Sequence, residues 1–179
     1  MADDGEQRPG PGRFAVAEPD PLAGAVHAVL SEPELEAWGR RIGGEALLPL
    51  IITLRGDLGA GKSTLARAVA RGAGVEGDVP SPTFNLLFVY DTPRARLHHF
   101  DLYRLARPDE VWELGWEELG VGAELVLIEW PERAESLLPA PRWDITLEET
   151  DDLAKRRVEA VPVGSPPPLV PIFGGGRDG

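Results

Sequence analysis

The segment Gly56-Asp57-Leu58-Gly59-Ala60-Gly61-Lys62-Ser63 constrains this chain more than any other. It follows directly on an almost continuous apolar run, Leu48-Pro49-Leu50-Ile51-Ile52-Thr53-Leu54. Such a run is the pattern of a strand buried on both faces of a parallel sheet. After it, residues 63–73 carry Leu65, Ala66, Val69 and Ala70 at helical spacing, with Gly74 as the stop. Strand, glycine-rich turn and helix together satisfy G-x-x-x-x-G-K-[ST] in the context that motif requires. Glycines let the backbone curl so that successive N–H groups point at phosphate oxygens, and the helix N-terminus favours the anion. Lys62 supplies a point charge for the β- and γ-phosphates, and the Ser63 hydroxyl can ligate Mg²⁺. At the chain's own residue frequencies, about 0.002 chance matches are expected along its length. The turn is therefore read as a nucleotide site and not as a plain glycine turn.

The choice of base follows from how the chain spends its lysines. Of 18 basic residues only Lys62 and Lys155 are lysine, and Lys155 sits in Ala154-Lys155-Arg156-Arg157. That segment does not match the N-K-x-D or T-K-x-D pattern of guanine-specific sites, so ATP is favoured over GTP. A second metal ligand is expected as a carboxylate at the end of a buried strand facing the loop. Leu125-Val126-Leu127-Ile128-Glu129 fits, and Arg96-Leu97-His98-His99-Phe100-Asp101 also ends in an acid. The alternation of the second run suggests a less buried strand. Glu129 is assigned to the metal, with Ser63, and Asp101 either to supporting the metal's ligands from behind or to positioning water near the phosphates.

The remaining pattern sets the fold class. Ser31-Glu32-Pro33-Glu34 reads as a capping box opening a helix with Leu35, Trp38 and Ile42 on one face. Residues 84–90 and 96–101 flank Asp91-Thr92-Pro93-Arg94 as a hairpin. Residues 108–114 and 132–138 read as short helices, and 125–129, 144–147 and 157–161 as strands. This alternation gives an α/β, P-loop NTPase-like three-layer fold with a mixed, partly parallel central sheet. Residues 26–163 are expected to form the ATPase domain. Residues 1–25 and the Pro/Gly-rich 164–179 are expected to be disordered tails, lacking apolar periodicity to offset their ordering entropy.

Composition excludes several classes. Lys+Arg is 18 and Asp+Glu 30, a net charge of −12, which gives no general affinity for DNA or RNA phosphates. Zero cysteines exclude disulfides and cysteine-based zinc sites. No run of about 18 apolar residues and no secretory h-region are found, so a cytoplasmic location without membrane contact is expected. His98 and His99, adjacent on a strand, face opposite sides and cannot share an ion, so both read as structural. Tyr103 and Arg104 read as a packing aromatic and a surface ion pair, and Trp112 and Trp116 as core or partner surface. Residues 109–124 hold six acids and no base, either a solvated face or a docking face for a basic partner.

Four segments in order then carry a family resemblance: residues 56–64 (GDLGAGKST), Ser81-Pro82-Thr83-Phe84, His99-Phe100-Asp101-Leu102-Tyr103-Arg104-Leu105, and Ile128-Glu129-Trp130-Pro131-Glu132. Over about residues 30–160 the chain resembles the TsaE (YjeE) family, the small ATPase of bacterial threonylcarbamoyladenosine synthesis. The resemblance implies an ATPase working with the TsaD and TsaB proteins to form threonylcarbamoyl on N6 of adenosine 37. The tRNAs concerned read codons beginning with A, and are met through the complex. It further implies that Leu58, Gly59, Ala60, Gly61, Lys62, Ser63 and Thr64 hold the nucleotide, with Ser63 and Glu129 on Mg²⁺. Thr83 would sense the γ-phosphate from a switch-like loop, Asp101 would act near that phosphate, and Trp130 would lie beside the nucleotide. The helix start around Glu32 would lie near the adenine, and Lys155 or Arg156 would reach the phosphates or the adenine edge. Ser stands at 63 where Thr is commoner, and Phe at 84 where Tyr is frequent. The competing readings are a small P-loop kinase of a metabolite and a non-hydrolysing nucleotide-gated scaffold.

Overall fold

The apolar run before the glycine turn becomes the middle of a sheet. A computed structural model describes residues 24–79 and 85–173. In chain order the strands are β1 (Val26–Ser31), β2 (Leu50–Arg55), β3 (Leu87–Asp91), β4 (Arg96–Asp101), β5 (Glu124–Glu129), β6 (Arg142–Glu149) and β7 (Lys155–Val163). Helix α1 spans Glu32–Glu45 and α2 Lys62–Gly72. The strands form one seven-stranded sheet in the order β1-β7-β6-β2-β5-β4-β3. β6, β2, β5 and β4 run parallel, while β7, β1 and β3 add antiparallel flanks. All of β2 but its last residue is buried, as a strand covered on both faces must be.

Side-chain alternation splits the core into two layers. Ile52, Leu54, Leu125 and Leu127 pack with α1 and α2 on one face. Ile51, Val126 and Ile128 pack on the other with Phe100, Val111 and Trp116. That second face is covered by the two short helices the pattern suggested, both of the three-ten kind, at Pro108–Leu114 and Pro131–Leu137, and by a further three-ten turn at Trp116–Glu118. The Ser31 backbone N–H and hydroxyl both donate to Glu34, at 2.8 and 2.6 Å, and fix where α1 begins. α1 then lies so close to α2 that a Cβ on Gly43 would run into the Val69 carbonyl. This close approach needs glycine.

The structure adds one element, bears out one reading and changes one expectation. β1 had no strong signal because it is a half-exposed strand at the edge of the sheet, paired with β7 alone among the described residues. β4 is the less buried of the two strands that end in an acid, with Arg96 exposed and His98 half-buried, but it lies between β3 and β5 with Leu97, His99, Phe100 and Asp101 buried. Its polar residues broke the apolar run without implying solvent. Residues 164–173 are not a free tail. Trp143 Nε1 donates to Pro167 O at 2.9 Å, Trp38 Nε1 to Val170 O at 2.8 Å, and Arg41 to the Pro171 and Ile172 carbonyls. Val170 is buried in the α1-side core. Backbone acceptors and one valine hold this strap, and neither leaves a periodic signature.

Candidate functional site

The glycine turn leaves the C-terminal end of β2 and enters α2 with Gly61 as N-cap. Gly56 sits at φ +133°, and a Cβ there would strike the Leu147 carbonyl of β6, so the turn closes only around glycine. The Lys62 side chain folds back over the turn: Nζ donates to Gly56 O at 2.5 Å and Asp57 O at 2.8 Å. It also lies 3.8 Å from the centroid of the Trp130 ring. Lys62 is 4% exposed. Burial pushes its ammonium below the ordinary lysine range, opposed by the charges of Glu129, Glu132, Asp101 and Asp57.

β5 and β4 end beside this turn in register, Asp101 opposite Glu129. Both acids share the α2-side face with Lys62 and Ser63. Glu129, 1% exposed, accepts from Ser63 Oγ at 2.8 Å through Oε2 and contacts His99 Nε2 at 2.7 Å through Oε1. Asp101, 7% exposed, accepts from the Tyr103 backbone N–H at 3.0 Å. Burial pushes the Asp101 carboxyl above the usual carboxylate range, helped by the Glu129 charge and opposed by the Tyr103 N–H, His99 and Lys62. Among the described residues no group of three or more His, Cys, Asp or Glu could hold a metal by itself. A hydroxyl and a carboxylate side by side instead suit Mg²⁺, which keeps several waters and takes phosphate oxygens with one or two protein ligands.

Three cavities border the turn, one of them on its β6 side, lined by Gly56, Asp57 and Ala60 with residues 146–149; the other two lie toward α2. One of about 150 Å³ is lined by Leu58, Gly59, Gly61, Lys62, Ser63, Thr64 and Trp130. The other, about 390 Å³, joins Gly59, Gly61 and Thr64 to Ser31, Glu32, Pro33 and Leu35 at the start of α1 and to Leu153, Ala154 and Arg156. Its first and last walls meet because β1 pairs with β7, Ser31 opposite Lys155. A phosphate-sized pocket thus opens onto a larger, half-apolar one.

The family model described as "Threonylcarbamoyl adenosine biosynthesis protein TsaE" matches residues 29–158. The chain belongs to the TsaE family. The tRNA threonylcarbamoyladenosine biosynthesis protein TsaE of Rickettsia typhi is 37% identical over 128 residues, 71% of this chain and 88% of that one. The protein of the same name from Haemophilus influenzae is 38% identical over 112 residues, 63% of this chain and 70% of that one. A crystal structure of Bacillus subtilis YdiB superposes with a TM-score of 0.63 at 28% identity, covering 78% of this chain and 86% of that chain. The strap at residues 164–173 lies beyond the part matched by the TsaE model.

Within this TsaE chain the structure gathers Lys62, Ser63, Asp101, Glu129 and Trp130 at one end of the parallel strands. Leu58, Gly59, Gly61 and Thr64 line the cavities, while the Ala60 side chain packs into the core. Glu32 and Arg156 line the larger cavity; Lys155 does not, and pairs with Asp152 at 3.5 Å instead. Thr83 and its segment lie outside the described residues. Trp130 adopts φ +58°, and its ring lies tilted by 52° against that of Tyr103, centroids 4.9 Å apart, so Tyr103 backs the tryptophan that lines the smaller cavity. His98 and His99 do face opposite sides, yet His99 faces the site. Its signal was available: two residues before Asp101 on a strand, it must share Asp101's face.

Proposed function

We propose that this TsaE-family chain is the ATP-binding and hydrolysing subunit required, with the TsaD and TsaB proteins, to form threonylcarbamoyl on N6 of adenosine 37. The tRNAs would be those reading codons beginning with A, reached through the complex. The observation that carries the reading is Ser63 Oγ hydrogen-bonded to the buried strand-end acid Glu129, directly beside the glycine turn. That pair fits the metal arrangement of P-loop ATPases. The threonylcarbamoyladenosine role comes from the relatives' names.

In this reading the turn's N–H groups and Lys62 bind the phosphates, whose oxygens replace the Gly56 and Asp57 carbonyls as acceptors for Nζ. Ser63 and Glu129 hold Mg²⁺, which would neutralise the charge developing between the β- and γ-phosphates. Asp101, beside Glu129, orients the attacking water. Thr83 contacts the γ-phosphate side. Glu32 and Arg156 border the base, and the absence of a lysine–aspartate guanine motif favours adenine. Electrostatic stabilisation of the transferring group is incomplete in one chain, so hydrolysis is slow alone and rises in the TsaD–TsaB complex.

The test is ATP turnover by the purified chain, alone and with TsaD, TsaB and tRNA. A marked rise on assembly, abolished by Lys62→Ala, is expected. Equal rates alone and in the complex, or unimpaired multiple-turnover tRNA modification by Lys62→Ala, refute the reading. Displacement of a fluorescent ATP analogue equally well by GTP would overturn the choice of base.

A further inference from the structure

We infer that His99 is a positioning residue for Glu129, donating its Nε2–H to Oε1 and thereby turning Oε2 toward Ser63 and the metal position. The inference rests on the reading of Ser63 and Glu129 as the Mg²⁺-holding pair. Its observations are local and independent of it. His99 is wholly buried, and its Nε2 lies 2.7 Å from Glu129 Oε1. Ser63 Oγ occupies the other carboxylate oxygen at 2.8 Å. Glu129 is thus gripped from both sides, by β4 through His99 and by α2 through Ser63.

The donor is determined by chemistry. A carboxylate only accepts, so the hydrogen lies on His99 Nε2. His99 Nδ1 is buried with no hydrogen-bond partner. Removing the Nε2 donor leaves Oε1 of a buried carboxylate unpaired, which is costly. The carboxylate would then rotate to recover a partner and lose its aim at the metal position. Outer hydrogen bonds of this kind orient metal-ligating carboxylates. His98, one residue earlier and on the opposite face, lies 3.4 Å from Glu124 and takes no part.

The test compares two amides of equal polarity and unequal reach. The Gln side-chain nitrogen reaches the place of imidazole Nε2, while that of Asn falls short. Mn²⁺ binding to the protein–ADP complex is followed by electron paramagnetic resonance, and ADP affinity is measured separately in EDTA. His99→Asn is expected to weaken Mn²⁺ binding about 10–100-fold, while His99→Gln stays within about threefold of the parent. ADP affinity in EDTA is expected to be unchanged in both. Parent-like Mn²⁺ binding by His99→Asn overturns the inference, as does an equal loss in both variants together with ADP affinity, which would be a packing effect. If the parent chain binds ADP but no Mn²⁺, the Glu129 metal reading falls and the inference with it. ¹⁵N NMR of the parent chain gives a measurement that no folding defect can spoil: a hydrogen on Nε2 is expected for His99, and an Nε2 that carries none overturns the inference.

Discussion

Ending the chain at residue 163 removes the carbonyls that accept from two indoles, those of Trp38 and Trp143. Trp38 is 1% exposed, so its Nε1–H has nowhere else to donate unless water enters. A hydrogen bond of this kind contributes about 0.5–1.5 kcal/mol net, and a donor left buried without a partner costs about 1–3 kcal/mol. Truncation also frees the strap's backbone, an entropy term that would obscure the indole term if truncation were measured alone. A double-mutant cycle removes it. Truncation is measured in the parent chain and in Trp38→Phe, which lacks the N–H in both backgrounds. The freed-chain entropy is common to both truncations and cancels, as does the cavity left by the smaller ring. The expected coupling is about 1–3 kcal/mol, with truncation more damaging when the indole is present. For a domain of this size each kcal/mol moves the melting temperature by about 2–4 °C. Urea unfolding followed by circular dichroism measures all four forms. Additivity within about 0.3 kcal/mol, or a truncation that leaves stability unchanged, would refute the reasoning.

Lys62→Ala is expected to abolish detectable ATP binding by calorimetry with the far-UV spectrum unchanged; retained affinity would remove Lys62 from the site. Glu129→Gln should keep the fold and lower Mg²⁺-dependent hydrolysis about 100-fold or more. If Asp101→Asn abolishes metal dependence and Glu129→Gln does not, the two acids have been assigned in reverse. Asp101 binds its proton more tightly folded than unfolded, where its ordinary value is 3.8, so it detracts from stability as pH rises through the folded value. Asp101→Asn should therefore be more stable than the parent at pH 7, with the gain shrinking as pH falls toward 3.8; a gain independent of pH refutes the burial argument. Gly43→Ala should destabilise the helix pair by about 1–3 kcal/mol in urea unfolding, and a neutral result would mean that α1 can withdraw from α2.

What the sequence disclosed, and what it hid, divides by range along the chain. The glycine turn, its flanking strand and helix, and the acid ending β5 are statements about neighbours, so spacing and residue type sufficed. That His99 shares the face of Asp101 follows from alternation, but its contact with Glu129 depends on the lateral register of β4 against β5, which no single-chain pattern states. Whether Lys155 or Arg156 faces the larger cavity depends on which face of β7 is which. Alternation says only that the two differ. The strap was illegible because the groups that hold it are backbone carbonyls meeting two tryptophan N–H groups, and a Pro-rich segment advertises none of these. The burial of His99 and Asp101 was hard to see because buried polar residues at a site look like exposed ones in a hydropathy pattern.

The pairing of β1 with β7 has a consequence in time. The wall of the larger cavity is built from residues 31–35 and 153–156, some 120 positions apart, and among the described residues β1 has no other partner in the sheet. β6, the flank of β2 on that side, is also among the last strands to be made. A chain emerging N-terminus first therefore makes its phosphate turn well before β6 and β7, and in the interval one flank of β2 is open and one wall of the cavity is missing. The larger pocket closes only when β7 pairs with β1, so competence to grip the whole ligand comes long after the phosphate turn itself.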